Sequence, residues 1–223
     1  MKARQAGFTL VEIAIVLVII GLLLGGILKG QEMITQAKIK NVIADFSGVS
    51  AAYHGYQDRY RAIPGDDPNA ATRWAVAPAA TAGNGNGVVA GAYNSATATD
   101  ESRLWWDHLR RAGFVSGNGT QQPFNALTGL IGVQTGDAAG TVGPTMLNAG
   151  GGNGFVGLIM CSANLPDKIA IAVDTQMDDG ASNLGTVRAL LQTAPNPAIG
   201  AGQVATAAYA ETSTNIYTLC RAL

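Results

Sequence analysis

Hydrophobic residues are concentrated in one run that begins close to the N-terminus of the chain. Residues 8–28 are almost purely aliphatic, and the one acid among them is Glu12. About 20 consecutive apolar residues are enough for an α-helix to cross the hydrocarbon core of a bilayer. A carboxylate within such a helix costs roughly 2.5–3.5 kcal/mol on insertion scales. The pattern therefore predicts a membrane-length helix in which Glu12 needs a partner.

The apolar pattern changes after residue 33, where every third or fourth residue is apolar and the others are largely polar. This spacing places the apolar side chains on one stripe of a helix that packs on a globular domain. We expect a single helix over residues 8–60, because Pro64 and Gly65 cannot continue it. The predicted stripe consists of Ile39, Val42, Ile43, Phe46, Val49, Tyr53, Tyr56 and Tyr60.

A second helix is predicted over residues 100–112, which Gly113 ends. Thr99 or Asp100 is suited to cap its first turn. Its buried stripe is expected to consist of Leu104, Trp105, His108, Leu109 and Ala112.

Four later segments are rich in β-branched or aliphatic residues and are bounded by Gly, Asn or Pro, which predicts strands. Residues 166–177 alternate like a strand but begin with Pro166 and Asp167, as helices often do, and we favour a short helix. Residues 75–99 and 193–212 are predicted as surface loops, or as strands formed only within the assembled domain. The predicted strands are 127–134, 154–162, 185–191 and 215–221.

The charge of the chain argues against a nucleic-acid-binding protein. The formal net charge is −1, and charged residues make up only 13% of the sequence. Lys2 and Arg4 precede the apolar run, which favours a cytoplasmic N-terminus and an extracytoplasmic remainder. An ordinary cleaved signal peptide is the alternative, but it has a shorter apolar core followed by a small-residue cleavage site.

Gly7, Phe8, Thr9, Leu10, Val11 and Glu12, preceded by basic residues, form a motif that carries a resemblance to a known family. The motif resembles the processing site of type IV prepilins and type II secretion pseudopilins. The resemblance implies cleavage after Gly7 by a prepilin peptidase and N-methylation of Phe8. It also implies polymerisation through the helix, with Glu12 neutralising the N-terminus of a neighbouring subunit.

The implied fold is α+β and type IV pilin-like, with a long N-terminal helix packed on a small antiparallel sheet. Residues 1–7 are then a cleaved leader and residues 8–28 the transmembrane and assembly half of the helix. Residues 29–62 are its amphipathic half, and residues 63–223 are a globular head.

The implied function is that of a structural subunit of a filament rather than an enzyme. A pseudopilin and a minor or adhesive pilin are the alternatives. The implied partners are identical subunits, the prepilin peptidase, an inner-membrane assembly platform and the membrane itself, with no specific nucleic acid. The subunit is expected in the inner membrane before assembly, with its head in the periplasm. After assembly it is expected in an extracellular filament or a periplasmic pseudopilus.

Two loops and the second helix extend the resemblance to a less-characterised subgroup of prepilin-like proteins. These loops are residues 63–70, which contain Pro-Gly-Asp-Asp-Pro, and residues 83–87, which alternate Gly and Asn. Asp66, Asp67, Asn84 and Asn86 supply oxygen atoms there that a metal could use, although no downstream bidentate Glu follows.

Candidate chemistry elsewhere is limited to a cysteine pair and one acidic turn. Cys161 and Cys220 would face an oxidising compartment, so a disulfide is expected, with two buried free thiols as the alternative. Asp174, Asp178 and Asp179 could bind Ca²⁺ through carboxylate oxygens, although a tight acidic turn before a strand, without metal, is the favoured interpretation. No other cofactor is predicted.

The aromatic and basic residues of the second helix suggest one further surface. Arg110 and Arg111 follow Trp106 and would form a small exposed basic and aromatic patch. Such a patch can contact nucleic acid, but packing is the expected role of the tryptophans. Packing or solvation is likewise expected for His54 and His108, because neither has metal ligands at suitable spacing.

Overall fold

The computed structural model describes residues 9–136, 147, 154–200 and 202–223. The described strands form one antiparallel sheet in the order β1-β2-β4-β3. This confirms the α+β, pilin-like fold with a long apolar N-terminal helix and a small antiparallel sheet. The elements are α1 (Leu10–Tyr60), α2 (Ala70–Arg73), α3 (Glu101–Arg111), β1 (Ile131–Thr135), β2 (Leu158–Pro166), α4 (Asp167–Met177), β3 (Val187–Leu191) and β4 (Ile216–Ala222).

The chain divides into two compact units after Lys38. In the first unit, the apolar side chains of α1 are exposed, from 46% for Ile20 to 85% for Leu10. This part of α1 is long and apolar enough to cross a membrane. Its apolar surface therefore has no cover from the residues of its own unit that the structure describes, 9–38.

The described residues of the second unit form two hydrophobic clusters, and the remaining part of α1 contributes one face to the larger of them. Ile39, Val42, Phe46 and Tyr56 are buried there, as the helical spacing predicts. They belong to the same cluster of buried side chains as residues of α3 and of the sheet. The amphipathic pattern after residue 33 is thus explained by packing within this unit.

Helix α3 is buried on nearly all sides rather than along one stripe. Trp106 is as fully buried as Trp105, so the predicted stripe was too narrow. Gly113 has a φ of +81°, and the Phe114 and Gly113 N–H groups donate to the carbonyls of Leu109 and Arg110. This hydrogen-bond pair is the Schellman motif, which confirms Gly113 as the end of the helix.

The start of α3 differs from the predicted cap. Asp100 occupies the N-cap position, but its side chain makes no capping hydrogen bond. Its carboxylate accepts a hydrogen bond from the Ser95 hydroxyl instead. The side chain of Asp100 therefore fastens the preceding loop rather than the helix.

The strand predictions were right in number but partly wrong in their bounds. The Asn125 Oδ1 atom accepts hydrogen bonds from the N–H groups of Leu127 and Gly129, which forms a turn, so β1 begins only at Ile131. Strand β2 starts later than predicted and continues to Pro166, with an irregularity between Ser162 and Leu165. Residues after Pro166 form α4, as expected.

Irregular segments cover the outer edges of the sheet. The Val89 N–H donates to the Thr135 hydroxyl beside β1, at 2.9 Å. Beside β3, the Thr206 N–H donates to the Ala189 carbonyl at 2.8 Å. The segments 75–99 and 193–212 are therefore more than surface loops, because they satisfy polar groups that an open sheet edge would expose.

Candidate functional site

The first turn of α1 is closed by a reciprocal pair of side chains. The Thr9 N–H and hydroxyl both donate to the Glu12 Oε2 atom at 2.8 Å. The Glu12 N–H in turn donates to the Thr9 hydroxyl oxygen at 3.3 Å. This arrangement is a capping box, in which two orphan N–H groups of a helix start are satisfied at once.

The capping box occupies only half of the Glu12 carboxylate. Among the residues that the structure describes, Oε1 accepts no hydrogen bond, and the carboxylate is exposed. Exposed apolar side chains such as Ile13 and Val16 lie beside it on the helix. The Glu12 carboxylate is thus fixed in place with one oxygen available to a group from elsewhere. Gly7 and Phe8 lie outside the described residues.

Cys161 and Cys220 form the predicted disulfide. They are directly opposite each other on β2 and β4, and both are fully buried. The bond joins residues that are 59 positions apart, for which the chain-entropy model gives about 4 kcal/mol of stabilisation. It fastens the C-terminal strand into the middle of the sheet.

The structure brings Asp174, Asp178 and Asp179 together at the C-terminal end of α4. One carboxylate oxygen from each lies within 4.8 Å of the others. Asp178 Oδ2 accepts hydrogen bonds from the Thr186 and Val187 N–H groups, which anchors it to the start of β3. Asp179 is exposed, and its Oδ1 accepts from the Ala181 N–H at 2.8 Å.

Asp174 is the buried member of this cluster. The Tyr209 hydroxyl donates to its Oδ2 at 2.7 Å, whereas its Oδ1 has no hydrogen-bond partner within the described part of the chain. Burial raises the pKa of Asp174 to about 6, although the Tyr209 hydrogen bond opposes the rise. The charges of Asp179 and Asp178 raise this pKa further.

The oxygen atoms around Asp66 have a structural use that the sequence did not reveal. Asp66 Oδ1 accepts from the Gly85 and Asn86 N–H groups, and Oδ2 accepts from the Gly87 N–H. Glu101 in the same way accepts from the N–H groups of Asn84 and Ala90. Backbone donors thus occupy these buried carboxylates, and the two acids hold the loop in shape.

A second buried network joins the end of α1 to α2. Asp67 Oδ2 accepts hydrogen bonds of 2.6 Å from the Tyr56 hydroxyl and from the Arg73 guanidinium. Burial alone would raise the pKa of Asp67, but these bonds and the Asn69 N–H hold it below its ordinary value. The network fixes a charge inside the core by surrounding it with donors.

His108 is a core residue, as expected, and it is held in one neutral form. The Gly65 N–H donates to Nδ1 at 2.9 Å, so the proton lies on Nε2 and is donated to the Thr81 carbonyl at 2.8 Å. Burial lowers the pKa of His108, despite the opposing effect of the Thr81 carbonyl. Both ring nitrogens therefore serve to fasten loops onto α3.

The expected basic and aromatic patch on α3 is not formed. Trp106 is fully buried, which removes the aromatic surface. Arg110 donates to the carbonyls of Ser116 and Gly119, and Arg111 pairs with Asp107 at 2.6 Å. These arginines stabilise the loop after α3, and the patch prediction was wrong because it assumed that Trp106 was exposed.

Comparison with known proteins assigns the N-terminal segment. Residues 2–28 match the family model described as the prokaryotic N-terminal methylation motif. No curated protein and no solved structure matches the chain. The matched residues contain Glu12, its capping partner Thr9 and the exposed apolar run. The chain therefore carries the prepilin-type signal of type IV pilins and pseudopilins.

Proposed function

We propose that this protein is a structural subunit of a type IV pilus-like filament. It is cut after Gly7, N-methylated on Phe8 and polymerised through the apolar part of α1. The observation that carries the proposal is a prepilin-type signal on a helix whose apolar side chains are left exposed. In the membrane, lipid covers these side chains, and in a filament the helices of other subunits replace the lipid.

The charge of Glu12 gives the proposed assembly its specificity. Cleavage after Gly7 creates an α-amine on Phe8, which supplies a cation at the level of the helix start. Glu12 retains an oxygen that the capping box does not use. An ion pair between this oxygen and the Phe8 amine of an adjacent subunit would neutralise both groups in an apolar surrounding, where an unpaired charge is most costly. The pair would therefore fix the axial position of each new subunit.

Glycines along the apolar part of α1 support contacts between subunits. A Cβ atom added at Gly21, Gly25 or Gly26 would meet nothing within 4 Å, so no contact with the residues that the structure describes requires these glycines. Each costs up to ~1 kcal/mol relative to Ala in a helix. Small residues in membrane helices allow a second helix to approach closely. Close packing between neighbouring α1 helices would explain their presence.

The role proposed here is assembly rather than catalysis. Several buried charged groups of the head, namely Asp66, Asp67 and Glu101, are engaged by donors of the chain itself. The partners are identical subunits, a prepilin peptidase and an inner-membrane assembly platform. The head would be periplasmic before assembly and would lie on the outside of the filament afterwards.

A type II secretion pseudopilin is the second candidate, because the same signal is found in both classes. The Glu12 argument applies to it without change. The two candidates differ in where the polymer lies, which is on the cell surface for a pilus and within the periplasm for a pseudopilus. Minor subunits often lack the acid, so the presence of Glu12 favours a subunit that forms the body of the polymer.

The sharpest test replaces Glu12 by Gln. Gln at this position can still complete the capping box, so the substitution removes the charge while it preserves the start of the helix. We expect cleavage and folding to remain normal, and sheared filaments to fall below detection by electron microscopy. Glu32→Gln is the matched control, because Glu32 is an exposed acid on the same helix and is paired with Lys29. Normal filaments from the Glu12→Gln protein would refute the mechanism.

A further inference from the structure

The C-terminal end of α4 gathers negative charge with little to balance it. Asp174, Asp178 and Asp179 bring carboxylate oxygens within 4.8 Å of one another. The C-terminus of a helix already carries a partial negative charge, which favours basic side chains there. The last turn of α4 contains no basic residue. Three acids therefore stand at the helix end that is least favourable for them.

Neighbouring side chains do not resolve this charge. Among the ion pairs of the described residues, none includes Asp174, Asp178 or Asp179. Arg188 and Asp178 attract each other by a Coulomb interaction. The Arg188 guanidinium nevertheless donates to the Leu147 carbonyl and lies 4.8 Å from the centre of the Phe155 ring. The carboxylates are thus close together without a salt bridge.

A separate observation points to a missing ligand at the same place. Asp174 is fully buried, and its Oδ1 atom accepts no hydrogen bond from any residue that the structure describes. The Gly180 N–H is close enough to lower the pKa of Asp174, but among the described residues no donor meets Oδ1 with the distance and angle of a hydrogen bond. A buried acceptor without a donor loses its hydrogen bonds to water and gains none within the protein, which raises the free energy of the folded state. The Tyr209 hydroxyl holds the other oxygen, which fixes the orientation of the carboxylate.

We propose that Asp174, Asp178 and Asp179 form a binding site for a divalent cation, with Ca²⁺ as the best-suited ion. Every donor in the cluster is an oxygen, which suits calcium and excludes the nitrogen and sulfur sets typical of zinc. The carbonyl groups of a last helical turn generally lack intrahelical donors, so a helix end can supply further oxygen ligands. Calcium also accepts the irregular geometry that a helix end and a loop provide.

The ion would fasten the connection between α4 and β3. Asp178 already reaches across to the N–H groups of Thr186 and Val187 at the start of β3. A cation shared by Asp178 and the buried Asp174 would join this connection to the core of the head. This inference concerns the head alone, so it stands or falls independently of the proposed filament.

The site can be tested by titrating CaCl₂ into the full chain in detergent micelles after treatment with a chelator. Isothermal calorimetry should show saturable binding to one site with a Kd on the order of 10⁻⁴ M. The melting temperature of the head should rise with calcium. Absence of saturable binding up to about 10 mM calcium would overturn the proposal.

Variants separate this site from general binding to surface acids. In Asp179→Asn, the amide oxygen can still accept from the Ala181 N–H, so the loop is preserved while one charge is lost. We expect calcium affinity to fall by about tenfold or more, because calcium affinity follows the number of charged ligands. Asp58→Asn is the matched control, since Asp58 is an exposed acid on α1. It should bind calcium like the unaltered chain.

A second variant guards against a trivial loss of folding. Asp174→Asn keeps an oxygen that can accept from the Tyr209 hydroxyl, and it should also lose calcium binding while its circular dichroism remains unchanged. Equal affinity in the Asp179→Asn, Asp58→Asn and unaltered proteins would assign the binding to surface charge and overturn the site. Loss of binding in both cluster variants alone, with all proteins folded, would support it.

Discussion

In the unit from Ile39 to Leu223, Asp66 and Asp67 are buried and their carboxylates accept hydrogen bonds from the chain itself, whereas in the unit that ends at Lys38 Glu12 keeps one oxygen unused. The apolar residues differ in the same way. Phe46 is fully buried, while Leu10 is 85% exposed. Asp66, Asp67 and Phe46 of the head therefore have their partners within the chain. The exposed apolar side chains of the N-terminal part of α1 can be covered only by lipid or by other protein, as its prepilin-type signal also indicates.

Loss of the disulfide should have the largest effect on the stability of the head. Replacing Cys161 and Cys220 by Ser is expected to lower the free energy of unfolding by about 4 kcal/mol, because the unfolded chain regains the freedom of a 59-residue separation. Urea unfolding of the full chain in micelles measures this. Trp74, Trp105 and Trp106 report it by fluorescence, since all the tryptophans lie in the head. A loss below about 1 kcal/mol would contradict the expected contribution.

Removing the buried charge at Asp67 should have the next largest effect. Asp67→Asn leaves Arg73 without its counter-ion, and the guanidinium is only 26% exposed. Breaking buried pairs typically costs 3–5 kcal/mol, so we expect about 2–3 kcal/mol for this partly open pair. Tyr56→Phe removes a single hydrogen bond and should cost about 1 kcal/mol. If Asp67→Asn costs no more than Tyr56→Phe in the same urea assay, the Asp67–Arg73 pair contributes little.

The neutral state of His108 should make the head sensitive to mild acid. Its pKa is lowered in the folded protein, mainly by burial, with Asp67 and Asp107 opposing the shift and Arg111 adding to it. The unfolded chain therefore binds the proton first. The contribution of His108 to stability is complete above about pH 6.5 and declines as the pH falls through the lowered folded value.

Comparison with His108→Gln isolates this titration from that of the carboxylates. Between pH 7.5 and 5.5, the unaltered protein should lose about 1 kcal/mol more of its free energy of unfolding than the variant, since one proton gives at most about 1.4 kcal/mol per pH unit. Parallel urea titrations at both pH values give the difference. Identical pH dependence in the two proteins would show that the His108 ring does not need to remain neutral.

Thr9 should produce the smallest effect and concerns the other unit. Thr9→Val removes the hydroxyl that accepts from the Glu12 N–H, and loss of such a cap costs about 1 kcal/mol. Hydrogen exchange of residues 10–14 in micelles should become faster in Thr9→Val and remain unchanged in Thr9→Ser, which keeps the hydroxyl. Filament yield should fall less than in Glu12→Gln. Equal exchange in both Thr9 variants would mean that the capping box does not hold the helix start.

Features that depend on periodicity or on a single pair of residues could be predicted from the sequence. The spacing from Ile39 to Tyr56 predicted which face of α1 is buried, and the structure confirms it. The disulfide between Cys161 and Cys220 was predicted for two reasons. A head outside the cytoplasm was expected to lie in an oxidising compartment, and two cysteines can pair in only one way. The methylation motif could be recognised from the sequence because the residues that define it are consecutive.

Features that depend on long-range hydrogen bonds could not be predicted. Asp66 accepts hydrogen bonds from the Gly85 and Gly87 N–H groups only because the loop folds back. Alternating Gly and Asn residues have no hydrophobic periodicity from which this fold of the loop could be predicted. The Asn125 turn shortened β1 in the same manner, by offering side-chain oxygen to nearby N–H groups. Trp106 was expected to be exposed because the prediction assumed that α3 has only one buried face. The helix is buried on nearly all sides, so Trp106 is buried as well.

We expect other copies of the chain to cover the exposed N-terminal helix after cleavage. Electron microscopy of sheared cell-surface and periplasmic fractions, combined with mass spectrometry of the N-terminus of the polymer, tests it most directly. We expect filaments of this protein that begin at N-methylated Phe8. Filaments on the cell surface would identify a pilus, and short polymers confined to the periplasm a pseudopilus. A protein that retains Met1 and forms no polymer in either fraction would contradict the account.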